Sequence, residues 1–270
     1  MPSVEPNPRV TFKIRHQGDG FLVVEKPSRV VTQPGVGHEH DTLLNGLFAL
    51  HGNELQRLGA ARGFGLLHRL DKETSGLVIV ALRIDAYDQL RAQFEARSLR
   101  KYYWAVVRGT PKREQGVMRL SIDEVTKRAS RYTSTKTSRI SKVGKPALTA
   151  WRVLASSISA SLVEARPVTG RLHQVRVHME AMGCPILGDD TYAPKAVAAA
   201  APRLALHAHR LVFKAPGGAA VDVSSTWPRD LRGVLTRCEL PRPDGHGETG
   251  TASEDGGHEL GGDAVGQEHA

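Results

Sequence analysis

The sequence predicts an α+β protein in which strands outnumber helices. Three observations support this class. Short runs of β-branched and aromatic residues recur along the chain, two segments place apolar residues at helical spacing, and no internal repeat is present. The 270 residues suffice for one sizeable core, and 40% hydrophobic with 24% charged residues is an ordinary globular composition. We therefore expect a folded globular domain.

The predicted strands are short apolar runs bounded by polar residues or glycine. They are residues 21–24, 77–82, 103–107, 151–154 and 161–168.

Two helices are predicted from spacing. In residues 84–97, Tyr87, Leu90 and Phe94 recur at i, i+3 and i+7, and Leu172, Val175 and Met179 repeat the pattern after Thr169. We expect Thr169 to cap the second helix and Gly183 to end it.

Charge and composition separate a tail (241–270) from the rest of the chain, in which we expect an N-terminal extension (1–11) and one folded domain (12–240). Residues 243–270 hold seven acidic residues and no Lys or Arg, with little apolar surface to bury, so the tail is predicted to be disordered. The whole chain has a formal net charge of +9, and the domain without its tail is more basic still. A basic body favours a polyanionic partner, most commonly nucleic acid.

Several classes of protein are disfavoured. No run approaches the ~18 apolar residues of a membrane helix, and the N-terminus does not resemble a signal peptide, so we expect no membrane partner and a cytoplasmic location. Cys184 and Cys238 are far apart and are expected to be reduced thiols. The histidine pairs in residues 38–40 and 207–209 do not complete a metal site, and no phosphate-binding loop motif occurs. We expect neither a metal nor a nucleotide cofactor.

The stretch LLHRLDKETSGLVIV, residues 66–80, crowds charged residues against two apolar runs. A polar turn before a strand would account for the Thr-Ser-Gly, but not for so many charges around Leu70. A carboxylate at the rim of a core beside fixed cations is how enzymes prepare a reactive acid. Asp71 is the candidate, and Glu73 is its rival, although Glu73 is explained equally well as a surface partner of Lys72.

A second motif is RPVTGRLHQVRVH, residues 166–178. On the helix predicted from Thr169, Arg171 falls in the first turn, and His173 and Arg176 share a face. A carboxylate brought there would be favoured in its ionised form by the guanidinium groups. A basic surface helix without a ligand has a similar composition.

The segment KRASRYTSTKTSRISKVGK, residues 127–145, carries seven cations and no acid. It is either a solvated loop or exposed hairpin, or a flexible arm whose Lys and Arg contact the phosphates of a nucleic acid without reading its sequence.

Together the motifs resemble one family. HRLDKETSG, KYYWAVVRG at 101–109 and TGRLHQVRVHMEAMGCPILGD at 169–189 resemble the RluA family of RNA pseudouridine synthases. LVVEKPSRVVTQPG at 22–35 is similar to that family's first motif, and ALHAHRLVF at 205–213 to its last. The resemblance covers roughly residues 12–230, in the family's order.

The resemblance implies a mixed, mainly antiparallel sheet with flanking helices and a central active-site cleft that binds RNA. It implies isomerisation of uridine to pseudouridine in structured RNA, ribosomal or transfer, without a cofactor. Asp71 corresponds to the catalytic carboxylate, and Arg176 to its salt-bridge partner. Tyr103 is expected to lie against the base and is a candidate for helping to remove the C5 proton.

The remaining site residues are expected to bind substrate. Arg69 corresponds to a position that fills the space left by a base pulled out of the stack, and Val175 and Leu206 are expected to form pocket walls. The basic residues of the motifs complete the predicted set: His68, Lys26, Arg171 and His173.

Some features depart from the family or leave its details open. Ser28-Arg29 stands where many relatives have Ala-Gly, Gln33-Pro34 stands where they often have His-Pro, and we expect no separate S4 domain before Phe12. A monomer is the default expectation. Two other classes fit less well: a non-catalytic RNA-binding or ribosome-assembly protein would not need Asp71, Tyr103 and Arg176 together, and a glycoside hydrolase would need a second acid motif.

Overall fold

The computed structural model describes residues 4–128 and 134–243. Its strands in chain order are β1 (Lys13–Gly18), β2 (Phe21–Lys26), β3 (Ser75–Ala81), β4 (Arg100–Arg108), β5 (Gln115–Met118), β6 (Ile122–Arg128), β7 (Ser134–Ile140), β8 (Thr149–Ser156), β9 (Ala160–Pro167), β10 (Leu206–Lys214) and β11 (Ala220–Ser224). Its α-helices are α1 (Leu43–Leu58), α2 (Ile84–Glu95), α3 (Gln174–Ala181), α4 (Lys195–Ala198) and α5 (Arg232–Arg237).

Nine strands form one sheet in the order β1-β2-β3-β10-β4-β9-β8-β5, and β11 pairs with the second half of β10. β6 and β7 form a separate hairpin. The pairing within the sheet is antiparallel except between β3 and β10. The predicted mixed, mainly antiparallel α+β architecture is confirmed.

Strand β10 enters the sheet between β3 and β4 and so brings two distant motifs together. His207 pairs with Ser75 on one side, and Ala208 lies opposite Tyr103 on the other. The approach of β3 to β10 requires glycine at position 76: its φ is +127°, and a Cβ there would lie 2.3 Å from the carbonyl oxygen of Ala208. The loop before β3 and the start of β4 therefore lie on either side of β10.

The sheet is buried on both faces at its centre. Side chains alternate along β2, so that Leu22 and Val24 pack in the cluster that includes α1, while Phe21 and Val23 pack in the cluster that includes Leu90 of α2. Burial on two faces explains why these strands read as continuous apolar runs rather than as alternating ones.

All five predicted strands and the helix at 84–97 are present, with ends shifted by a few residues. The prediction for the second helix was wrong at its start. α3 begins at Gln174 after His173, and the Thr169 hydroxyl donates to the Gln174 side chain (2.7 Å) instead of capping a helix. Arg171 therefore lies in the preceding loop.

The described part of 127–145 includes strand β7, which pairs with β6 in a hairpin and buries Ser138. This pairing does not separate a solvated hairpin from an arm that contacts phosphates, and residues 129–133 lie outside the described part of the chain. The tail is predicted to be disordered, and its residues 244–270 also lie outside the described part of the chain. Within the described residues, no helix is both long and apolar enough to cross a bilayer.

His207 should make the stability of the protein depend on pH. Its side chain is fully buried between the hydroxyls of Ser75 (2.9 Å) and Ser225 (2.8 Å). Burial lowers the pKa of His207 well below 6.5. The unfolded chain therefore binds a proton below pH 6.5 that the folded chain excludes, and stability present above that pH is lost as the pH falls.

We expect His207→Gln to reduce the slope of unfolding free energy against pH by about 1.4 kcal/mol per pH unit below pH 6.5. Urea unfolding at pH 7, 6 and 5 measures this slope, and His40→Gln at an exposed position is the control. Equal slopes for wild type and His207→Gln would contradict the prediction.

Candidate active site

Asp71 lies in the loop that leads into β3, and its backbone is fixed from both sides. Leu70 is buried, and its N–H donates to the hydroxyl of Thr32 (3.1 Å), which donates to the Leu70 carbonyl (2.7 Å). The N–H of Thr74 donates to the carbonyl of Asp71 (3.1 Å), which closes a turn. The charged stretch is therefore a turn, as the simpler interpretation held, but one anchored to the core so that Asp71 faces a pocket.

Lys26 is an anchor for this loop, which corrects its assignment to substrate binding. Its ammonium is fully buried and donates to the carbonyls of Pro27 (2.8 Å), Val30 (2.7 Å) and Lys72 (3.2 Å). Burial lowers the pKa of Lys26 to about 7, and the charge of Asp71 partly opposes this shift. An RNA phosphate cannot reach an ammonium enclosed in this way.

Arg176 projects from α3 and joins two carboxylates. It forms a bidentate pair with Asp189, with distances of 2.8 Å and 2.7 Å, and its Nη1 lies 3.8 Å from Asp71 Oδ2. The predicted contact between Arg176 and Asp71 is present, but Asp189 is the closer partner. Arg176 and Asp189 are both buried, so the guanidinium is held in place before any substrate arrives.

Asp189 and Tyr192 complete the support of this pair. Asp189 accepts from the backbone N–H groups of Thr191 (3.0 Å) and Tyr192 (3.1 Å), and the guanidinium of Arg176 lies 5.0 Å from the centre of the Tyr192 ring. The Tyr192 hydroxyl accepts from the Ser138 N–H (2.8 Å), which ties hairpin strand β7 to the site.

His173 has a left-handed backbone, with φ of +53°, immediately before α3. Its Nδ1 lies 2.7 Å from the Tyr192 hydroxyl, and its Nε2 lies 3.9 Å from Asp71 Oδ2. Burial lowers the pKa of His173, against the opposing effect of Asp71. A left-handed backbone at a non-glycine residue is often found at functional positions.

A pocket of about 460 Å³ joins these groups. Asp71, Arg176 and His173 lie on one part of its wall, and Tyr103, Val175 and Leu206 supply the apolar part. Burial raises the pKa of Tyr103, and the charge of Asp71 raises it further, so the phenol is protonated at neutral pH. The pocket thus combines a carboxylate beside a fixed guanidinium with an apolar wall.

The structure separates the other predicted residues into two groups. Arg69 and Arg171, which are expected to bind substrate, line this pocket, whereas Glu73 does not. His68 does not line it either; it is partly buried in the wall of a neighbouring cleft, and its Nε2 accepts from the Ile79 N–H (3.1 Å). Burial lowers the pKa of His68 to about 3, so its ring is neutral.

Sequence reasoning missed Asp189, Tyr192 and Thr32. Asp189 stands in the quoted Gly-Asp that ends the 169–189 motif, and its type and position could have marked it as a partner for Arg176. No local pattern marks Thr32 or Tyr192, because their contacts are with residues far along the chain. Among the described residues, no group of three or more His, Cys, Asp or Glu side chains is placed to hold a metal ion.

Comparisons with known proteins agree on one class. A family model described as RNA pseudouridylate synthase matches residues 20–181. The ribosomal large subunit pseudouridine synthase D of Zymomonas mobilis is 35% identical over 231 residues, which cover 83% of this chain and 71% of the relative. The dual-specificity RNA pseudouridine synthase RluA of Pasteurella multocida is 37% identical over 207 residues, or 75% and 87% of the two chains. The solved structure of human RNA pseudouridylate synthase domain containing 4 has a TM-score of 0.65 at 28% identity, with 85% of this chain and 94% of that one covered.

Proposed function

This chain belongs to the RNA pseudouridylate synthase family and is an RNA pseudouridine synthase, and we propose that Asp71 is the carboxylate with which it isomerises uridine. The observation that carries this assignment is the meeting of Asp71 with Arg176 in a pocket that also has an apolar wall. Two distant motifs supply the two side chains, so their contact is a property of the fold.

The reaction places clear demands on the pocket. The bond between N1 of uracil and C1′ of ribose breaks, a bond from C5 to C1′ forms, the C5 proton leaves and N1 gains a proton. The product is an isomer, so no oxidant, reductant or external group is required. Cleavage develops positive character at C1′, and the detached uracil carries negative charge until it rebonds.

The positive character at C1′ requires a negatively charged group nearby, and a carboxylate can stabilise or capture such a sugar carbon. Three roles for Asp71 satisfy the atom balance: attack on C1′, addition to the base, and removal of a ribose proton. In each of them the carboxylate is the acting group, and the Arg176 guanidinium lies 3.8 Å from it. Arg176 positions Asp71 and is itself fixed by Asp189.

The apolar wall of the pocket retains the detached uracil anion. Tyr103, Val175 and Leu206 hold the uracil away from water while it turns, which prevents loss of the anion by protonation or escape. Arg69 and Arg171 bind the RNA around the extruded nucleotide, as His173 does from beside Asp71. Extrusion from a stack costs a few kcal/mol and is easiest in loops.

Structured ribosomal or transfer RNA is the proposed substrate, and the relatives named for the ribosomal large subunit support testing ribosomal RNA first. We further propose that the enzyme acts in the cytoplasm as a monomer and without a cofactor. Release of tritium from uridine labelled at C5, in separate unmodified ribosomal and transfer RNA transcripts, tests the function. No release from either pool, despite tight salt-sensitive binding, would favour a non-catalytic RNA-binding protein.

Tyr103→Phe should lower tritium release by less than about tenfold, because a protonated phenol is a poor acceptor for the C5 proton and the ring alone supports the base. Tyr103→Leu, which removes the ring, should cause a larger loss. Single-turnover rates at saturating RNA compare the two. A loss of about 10²-fold or more in Tyr103→Phe would instead identify the hydroxyl as the proton acceptor.

A further inference from the structure

A second cleft, of about 410 Å³, adjoins the active-site pocket. The two share a wall formed by Arg69, Lys101 and residues 169–171. The far side of the second cleft is formed by α2 and the turn after it. An RNA strand whose nucleotide enters the pocket therefore passes directly beside this cleft.

The second cleft is strongly cationic. Its lining includes five cations and one carboxylate: Arg69, Arg91, Arg97, Lys101, Arg171 and Glu95. The carboxylate is already paired, because Arg91 Nε donates to Glu95 at 2.8 Å. Over the described residues, Arg69, Arg97, Lys101 and Arg171 form no ion pair with a carboxylate, so the cleft has cations without counter-ions.

Lys101 occupies the boundary between the two cavities. It lies two residues before Tyr103 on β4, is partly buried, and places its ammonium 5.6 Å from the centre of the Phe94 ring. Burial lowers the pKa of Lys101, and no acidic neighbour opposes the shift. A partly buried cation without an acid is unfavourable by itself, and an anionic ligand would remove that penalty.

The floor of the cleft favours a phosphate over a base. Phe94 is already in contact with the neutral His68 ring, at 5.2 Å between centroids, and with Lys101. Phe94 and His68 are the aromatic side chains of the lining, and five cations outnumber them, so the cations are the groups that recognise a ligand. Guanidinium and ammonium groups suit phosphate oxygens.

We propose that this second cleft binds a backbone phosphate of the substrate RNA beside the target uridine, with Lys101 and Arg97 as its principal ligands. The proposal rests on the function given above and adds a binding site to it. Such a contact fixes the register of the RNA, so that the target nucleotide enters the Asp71 pocket, without reading sequence.

Lys101→Met and Arg97→Asn test the site, and Arg57→Gln is the control. Asn suits position 97 because the backbone there is left-handed, with φ of +54°, and the side chain of Arg97 is exposed, so folding is preserved. Arg57 is an exposed cation on α1 that lines neither cavity. Each variant removes one positive charge.

The probe is a pool of unmodified ribosomal or transfer RNA transcripts ethylated at random phosphates, from which bound molecules are separated and mapped. RNA bound by wild type or by Arg57→Gln should lack ethyl groups at one phosphate within a few nucleotides of the tritium-releasing uridine. RNA bound by either cleft variant should carry ethyl groups at that phosphate. In each cleft variant the slope of log affinity against log salt should decrease by about 1, and kcat/KM should fall about tenfold with kcat retained at saturating RNA.

The proposal would be overturned if the cleft variants gave the same ethylation pattern and the same salt slope as Arg57→Gln. It would also be overturned if the cleft variants tolerated ethylation more at every phosphate of the transcript rather than at one. The binding experiment does not need catalysis. If no RNA releases tritium but one phosphate still loses its exclusion in both variants, the phosphate site stands while the proposed role of Asp71 fails.

Discussion

Replacing Asp71 with Asn should reduce tritium release from C5-labelled uridine in RNA by about 10³-fold or more. The substitution keeps the shape of the side chain and removes the charge that acts at the sugar or the base. A loss of this size corresponds to about 4 kcal/mol in the activation barrier. The measurement is the single-turnover rate at saturating transcript, with the binding affinity of the same transcript determined in parallel.

Glu73→Gln is the matched control for this experiment. Glu73 is a neighbouring carboxylate in the same loop that does not line the pocket, so its replacement should leave the rate within about threefold of wild type. Asp71→Asn should still bind RNA, because Arg69 and Arg171 are intact. A rate for Asp71→Asn near that of wild type, or a large loss in Glu73→Gln, would transfer the catalytic role away from Asp71.

Arg176→Met should destabilise the protein by about 3–5 kcal/mol and abolish activity. Asp189 is almost completely buried and would lose its guanidinium partner, and removing one member of a buried pair leaves an uncompensated charge. Asp71 would lose the cation 3.8 Å away. Urea unfolding at pH 7 measures the change in unfolding free energy, and tritium release measures activity.

The double variant Arg176→Met/Asp189→Asn separates the two effects. Neutralising Asp189 removes the unpaired charge, and the amide oxygen of Asn can still accept from the N–H groups of Thr191 and Tyr192. We expect most of the lost stability to return while activity remains absent, because Asp71 still lacks its partner. Recovery of activity together with stability would show that Arg176 has only a structural role.

Local sequence predicted those elements whose signal is contained within the element. β2, β3 and α2 were found because their apolar runs or helical spacing arise from burial against the sheet. Residues of β10 are part of a family motif, but the sequence does not predict them as a strand. Two buried histidines interrupt its apolar pattern, and their burial depends on partners such as Ser225 and Glu164 elsewhere in the chain.

Residue type alone gives the wrong role for Lys26. Its side chain is typical of RNA contacts and it stands in a motif shared with the family, yet its ammonium is enclosed by three carbonyls. The start of α3 was misplaced for a related reason: the Thr169 hydroxyl is used by Gln174 and the Leu148 N–H, two contacts formed by folding.

The sequence by itself determined the α+β class, from periodicity and composition, and the resemblance to one family, from its motifs; that resemblance in turn predicted Asp71, Tyr103 and Arg176 as site residues. Only the tertiary structure decided that Asp189 is the main partner of Arg176, that Lys26 holds the loop of Asp71, and that a cationic cleft borders the pocket. Each of these depends on which groups the chain buries together, and burial sets whether a charged side chain is an anchor, a partner or a ligand.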